Sequence, residues 1–380
     1  MAKLGTCIVI GMLLSIPAAS QSNTDATSDW KNHEQAGVVD VHCNDVAAHD
    51  STALNRAISH SKTGDHIIIH GQCMVNETIV LYGDRTYTGD SRTGTIIKQA
   101  PGANLAALFA SGSWSFDFSY TGTPIRIAHL TLDGNSSQNM GTNVLVIRSW
   151  LTVIDDIVVQ NAPQDGIQFT NPSRNGTLLT TTQVNSHLIN CFITDSGANG
   201  IHVVDPGNSV TDSDILDSWI ANSGQSAINM DNAAGWKIRG NHLYGIKQNA
   251  IYANRCFNTS IDENIIEDFG GAGGNTWYGI ACTLQGDIAS VISGNKVNMF
   301  NAEPSTGNFV YIGIPQVNYD FGQIAVVGNT ILGSGGSRDT GLSYQLGNGK
   351  GLKVVSASNN VHSVNNARIV GKGVTLVTGY

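Results

Sequence analysis

From Pro124 onward the chain repeats a small pattern that a single globular core would not require. A polar residue is followed two places on by an apolar one: Asp155/Ile157, Asn190/Phe192, Asp217/Trp219, Asn241/Leu243, Asn264/Ile266, Asn295/Val297, Asn329/Ile331 and Asn359/Val361. Successive markers stand between 23 residues (Asn241 to Asn264) and 35 residues (Asp155 to Asn190) apart. Each unit then reaches a strand-like pair: Gly166-Ile167, Gly200-Ile201, Ala227-Ile228, Ala250-Ile251, Gly279-Ile280 and Phe309-Val310.

The shortest units leave room for three short strands and three bends, and the longer ones carry loops. Strands send alternate side chains in and out, so the Ile, Val, Leu and Phe positions stack inside, rung on rung, at the ~4.8 Å spacing of paired strands. Asn and Asp at the bends tolerate left-handed backbone angles and can bond their copies in the next rung. The composition agrees: Gly is frequent at 43, Pro scarce at 8, and only 13% of residues are charged. Helical solenoids need more Ala, Leu, Glu and Lys, and propeller blades need about 40 residues each. At 380 residues the chain is long for one core, but a solenoid grows along an axis. The expected fold is all-β: a single-stranded, right-handed parallel β-helix with a short N-terminal capping helix. Asp50 or Ser51 is the expected helix cap, and Leu54, Ala57 and Ile58 its apolar stripe.

The expected layout is a signal peptide over 1–20, a disordered polar segment over 21–36, a cap and first coils over 37–123, and the repeats over 124–380. Lys3, the apolar run Cys7 to Ile16, and Ala18 and Ser20 ahead of Gln21 form the export pattern, with an apolar stretch too short to span a bilayer. The mature protein is therefore expected to be secreted or periplasmic, with no membrane partner. A net charge of −9 without basic clusters argues against nucleic acid. Cys43 and Cys73 flank the cap, and export would permit a disulfide between them, although spacing alone leaves buried thiols open. Cys256 and Cys282 are expected to be packing thiols.

The cap reads Asn44-Asp45, then Asp50-Ser51-Thr52-Ala53-Leu54, then Gly64-Asp65-His66-Ile67-Ile68-Ile69. In these residues it resembles the N-terminal segment of the pectate-lyase-like superfamily. Cap and coil together span nearly all of the mature chain. The resemblance implies the β-helix fold and a polysaccharide partner. It spans polysaccharide lyases, glycoside hydrolases, uronate epimerases, fructan-cyclising transferases and phage tailspikes. The calcium-aspartate and arginine pattern of pectate lyases and the paired aspartates of polygalacturonases have no counterpart here, so no catalytic residue is carried over.

With Ile taken as inward, the strand after each small-residue pair exposes Gln168, His202, Asn229, Asp231, Tyr252 and Asn254, with Asp205 and Arg255 just past the strand ends. Tyr, His, Asp and Arg thus concentrate on three neighbouring rungs. Asp231, His202, Tyr252 and Arg255 are the expected catalytic residues. Gln168, Asn229, Asn254 and Asp205 are the expected sugar contacts, joined by Trp277 and Tyr278 as stacking platforms from one of the inserted loops (Asn171 to Thr182, Gly270 to Trp277, Ala302 to Asn308, Ser334 to Thr340). The favoured reading is lyase-like β-elimination. The alternatives are a glycoside hydrolase or fructan-type glycosyl transferase using paired carboxylates, and a non-catalytic glycan-binding or adhesive β-helix. No cofactor is required; calcium is admitted through Asp205, Asp231 and nearby carbonyls. The chain is expected to act as a monomer or a homotrimer.

Overall fold

The computed structural model describes residues 36–301 and 306–379. The expected signal peptide and nearly all of the polar segment after it lie outside those residues. The described chain winds into a right-handed parallel β-helix with three walls. The first wall has 13 strands, from Val38–His42 to Val374–Val377. The second and third have 11 each, running from Gln72–Val75 to Asn360–His362 and from Ile79–Leu81 to Asn366–Val370. Every pairing is parallel and joins strands one coil apart. Pairing is continuous across Pro124, since Arg85–Gly89 pairs with Ile125–Ala128.

An amphipathic helix, Ala47–His60, closes the N-terminal end by burying Leu54 and Ile58 on the first coil. It begins before the expected cap. Asp50 lies inside it, buried, and its carboxylate accepts the backbone N–H groups of Asn44, Val46 and Met74. Its role is to tie the entry to the helix onto the second wall. Cys43 and Cys73 form the expected disulfide across this junction.

Inside the coil the third-wall isoleucines stack in register: Ile167, Ile201, Ile228, Ile251 and Ile280. The next member is Ile312, not Val310 as the sequence pattern suggested. The asparagine ladder is continuous over five coils. Asn241, Asn264, Asn295 and Asn329 each donate from Nδ2 to the Oδ1 of the next asparagine, ending at Asn359, over 2.9–3.0 Å. Each also donates to a main-chain carbonyl on the preceding coil, as Asn264 does to Ile238 at 2.9 Å.

The left-handed backbone falls one residue earlier, at Asp156, Asn190, Asp217, Gly240, Glu263, Gly294, Gly328 and Ser358. Asp155, Asn190 and Asp217 are therefore not the counterparts of Asn241: Asp155 stands two residues before its ladder position, and the other two markers slip by one residue. The slip has the consequence expected of a two-residue period. Phe192 and Trp219, taken as inward, stand on the outer surface of the second wall, and Trp219 is 48% exposed. Cysteine and serine hold the ladder position there: the Cys191 N–H donates to Ser218 Oγ, and the Ser218 N–H to Asn241 Oδ1.

A second correction concerns Cys256 and Cys282. They form a disulfide between neighbouring coils rather than lying as separate thiols, and Cys191 is the free cysteine of the described residues. A shift in strand register between Ala253 and Cys256 carries Cys256 inward to meet its partner.

Asn264 is fully buried and takes part in hydrogen bonds to both neighbouring coils. Replacing it with alanine should leave the partners on both sides unpaired and cost about 3 kcal/mol. Urea denaturation measures this directly; a loss below about 0.5 kcal/mol, the scale of a neutral surface change, would show the ladder to be ornamental.

Candidate active site on the third wall

The outer face of the third wall is set by the same stacking. Because the isoleucines align inside, the residues that follow them align outside: Gln168, His202, Asn229, Tyr252 and Ala281 are consecutive partners across five strands. His202 and Tyr252 are thus two rungs apart, roughly 10 Å along the axis. Asp231 follows its strand on the same side as Asn229, and its charge acts on His202. His202, Asn229, Asp231, Tyr252 and Asn254 share one half-buried face.

His202 is held by a residue that the sequence did not single out. Its Nδ1 lies 2.7 Å from Oδ2 of Asp165, which is buried one coil earlier. The other oxygen, Oδ1, accepts both the backbone N–H (3.0 Å) and the side-chain amide (2.9 Å) of Asn199. With Nδ1 engaged, the tautomer that donates to Asp165 leaves Nε2 as the acceptor on the open face. Burial opposes charge on the imidazole. The Asp165 hydrogen bond and charge, with Asp231 behind them, outweigh it and hold the His202 pKa above its ordinary value. Burial likewise opposes charge on Asp165, but His202 and the two Asn199 donors keep its carboxyl below the usual range. Asp165 sits in the turn before Gly166, and a Gly-Ile strand entry preceded by a carboxylate was the available signal.

The other expected site residues divide. Asn229 and Tyr252 present their side chains to the face, and Tyr278 stands near Tyr252; burial, with Tyr252 beside it, raises the Tyr278 phenol above its normal value. Gln168 lies at the edge of the cluster, a long 3.4 Å from Asp165. Arg255 occupies a left-handed position at the register shift. Its guanidinium turns back along the face, donating from Nε to the Asp231 carbonyl (3.0 Å) and from Nη2 to the Asp205 carbonyl (2.6 Å). It therefore braces the rungs and borders Asp231 without forming a salt bridge to it. Asn254 is half committed to the fold, since its Oδ1 accepts from Thr283, Asn318 and the Arg255 N–H.

One expected contact is not available to a sugar. Asp205 is fully buried, and its carboxylate accepts from the Asn171 and Asn232 amides and the Ser209 and Val210 N–H groups. A turn carboxylate saturated in this way organises backbone. Among the described residues no three His, Cys, Asp or Glu side chains gather as a metal site. Trp277 is half-buried against the core, and its indole N–H on the Gly273 carbonyl at 2.9 Å ties it to its own loop. The face thus retains one partly exposed carboxylate, Asp231, where an inverting or retaining pair would need two.

Beside this face, on the turn leading into the third wall, lies a cavity of about 790 Å³ lined by Asn139, Gln164, Asp195, Asn222, Tyr244 and Lys247 among others. It is open to solvent, and Gln164 adjoins Asp165.

No protein-family model matches the sequence, and no curated protein matches it. Solved structures do share the fold. The chain is similar to the Azotobacter vinelandii mannuronan C-5 epimerase AlgE4 A-module, at 13% identity and TM-score 0.57, over 89% of this chain and 96% of that one. It is similar to the Agl-KA catalytic domain at 14% identity and TM-score 0.58, over 90% and 68%. A third likeness is to the enzymatically active domain of bacteriophage CBA120 tailspike protein 2, at 13% identity and TM-score 0.55, over 89% and 52%. At such identities the likeness is one of fold.

If Asp165 sets the state of His202, Asp165→Asn should lower the His202 pKa, because the group favouring the imidazolium is gone. Titration of the His202 ring by NMR should show its midpoint moving to lower pH. An unchanged midpoint would separate the two residues functionally.

Proposed function

We propose that the protein is an exported, carbohydrate-active enzyme that performs acid–base chemistry on a polysaccharide lying along the third wall. The observation that carries this reading is the Asp165–His202 pair, 2.7 Å apart, in register with Asn229 on the next rung and Tyr252 on the one after, on a face with a single partly exposed carboxylate. That set suits proton transfer at a sugar carbon better than hydrolysis by two carboxylates. The names of the similar folds, an epimerase among them, keep company with this reading. The two disulfides suit an oxidising compartment, in keeping with the export pattern.

In the proposed reaction the substrate is a uronate-containing chain. Neutral His202 takes the proton α to the carboxylate through Nε2, and the electron pair moves into the carboxylate. The Asn229 amide and the edge of the Arg255 guanidinium stabilise the charge that develops there. Tyr252 then gives its phenolic proton to the departing glycosidic oxygen as the C–O bond breaks, leaving a double bond in the sugar. Returning a proton to the opposite face of the same carbon instead would invert it, and the chain would remain intact. Asp165 stays ionised throughout and holds the imidazole in orientation.

A panel of polysaccharides assayed for ultraviolet-absorbing unsaturated products, for reducing ends and for altered sugar configuration by NMR tests this. Elimination gives absorbance with new ends, and inversion gives neither but changes the NMR spectrum. Reducing ends without absorbance would overturn the assignment in favour of hydrolysis. Tyr252→Phe and His202→Ala should each lower kcat by roughly 10²–10⁴-fold while glycan binding persists.

Activity should rise with pH through the His202 pKa, because the base form is required and Asp165 holds that pKa above the ordinary value. In Asp165→Asn the ascending limb should move toward acid, as measured in kcat/KM against pH.

A further inference from the structure

Upstream of the His202 face, four aromatic rings meet at the surface. The segment after the Ala107–Ser111 strand reads Trp-Ser-Phe-Asp-Phe-Ser-Tyr over residues 114–120. Phe116, Phe118 and Tyr120 are 48%, 37% and 52% exposed. Phe116 meets Tyr82 at 6.0 Å between ring centres and Phe118 at 5.8 Å, and Phe118 stacks on Tyr120 at 5.1 Å. Exposed apolar residues occur elsewhere on the chain, but here four rings adjoin one another, and a contiguous patch of this kind is what marks a binding surface.

The patch is built to be rigid. Residues alternating with the rings face the other way: Asp117 accepts from the Ser173 hydroxyl (2.7 Å) and from the backbone and side-chain N–H groups of Asn175, and the Ser119 carbonyl accepts from Thr180. Beneath them Arg148, fully buried, joins both loops through the carbonyls of Ser113, Phe118, Asn171 and Thr177. Burial lowers the Arg148 pKa to about 10, yet all three guanidinium nitrogens have oxygen partners. A buried cation committed to holding two surface loops fixes the rings before any ligand arrives.

The rings wall a cavity of about 450 Å³, floored by Gly83, Gly112 and Gly122 and edged by Thr121, Thr123 and Ser149. The Ser149 hydroxyl is buried and has no hydrogen-bond partner. No charged group lines the cavity. Arg85, which lies over the Tyr82 ring at 5.5 Å, has its guanidinium on Ser61 and the Gly83 carbonyl. Aromatic faces with a hydroxyl rim and no charge suit the apolar face of a sugar ring and its hydroxyls. The lining strand ends belong to the same wall as His202. The last of them, beside Ser149, lies two rungs from the His202 strand, roughly 10 Å along the axis.

We propose that Tyr82, Phe116, Phe118 and Tyr120 form a second glycan-binding site that holds a sugar unit of the polysaccharide by stacking, away from the reacting bond. It rests on the carbohydrate reading above but not on the chemistry given to His202. Because the contact is uncharged, its affinity is insensitive to salt.

The test compares the full chain with Phe118→Ala/Tyr120→Ala, both exposed positions, by affinity electrophoresis in gels holding each polysaccharide of the panel, at low and high salt. The expected result is retention of the native protein that survives high salt and falls roughly tenfold in the variant. For any polysaccharide turned over, KM for the polymer should rise by a similar factor while kcat on short oligosaccharides holds. Retention or polymer KM unaltered by the substitutions would overturn the proposal even where turnover proves the enzyme reading. Salt-resistant retention lost in the variant supports the site even if no polysaccharide reacts, in which case the catalytic reading alone fails. Failure of every glycan to retain the native protein, or sedimentation showing a dimer that the substitutions dissolve, would reassign the patch and end the proposal.

Discussion

The structure depends on one constraint: each coil must lie on the last without a slip of register. Parallel main-chain bonds set the spacing, but they are alike at every residue and cannot by themselves choose a register. The choice is made by side chains that recognise their own copies. Stacked isoleucines do so by shape, and the asparagine ladder does so by donating and accepting in sequence from Asn241 to Asn359. With a two-residue period, holding those columns inside holds every intervening column outside.

The candidate site follows from that constraint. His202, Asn229 and Tyr252 are far apart in sequence and are neighbours only because Ile201, Ile228 and Ile251 are. Their surroundings show how a solenoid divides labour among its few charges. Asp205 and Arg148 are buried and saturated by backbone and amide groups, so they shape loops. Arg255 braces two carbonyls at the strand ends. On the third wall, Asp165 is the buried carboxylate that spends an oxygen on a histidine of the outer face. Similar side chains therefore have different roles because of what each touches.

Much of the fold was legible because its signal is repeated. Five markers that fall on the ladder outweigh three that do not, and the β-helix survived both Asp155 and the one-residue slip at Asn190 and Asp217. The same slip misplaced Phe192 and Trp219 completely, since local pattern cannot tell a left-handed bend residue from the ladder residue after it. The column through Gln168, His202, Asn229 and Tyr252 was readable from alternation alone. Asp165 and Arg148 were not, because their partners lie 37 and 23–35 residues away. Asp205 looked exposed for the same reason: the Asn171 and Asn232 amides that cover it come from neighbouring coils.

The sequence by itself determined the period, the inward and outward columns, the capping helix and the clustering of ionisable residues on three rungs, since all of these follow from local alternation repeated many times. Only the tertiary structure decided which carboxylate holds His202, that Cys256 and Cys282 are joined, and where Arg255 spends its charge. Those are contacts between coils, fixed by a few ångströms of depth and direction that no spacing along the chain encodes.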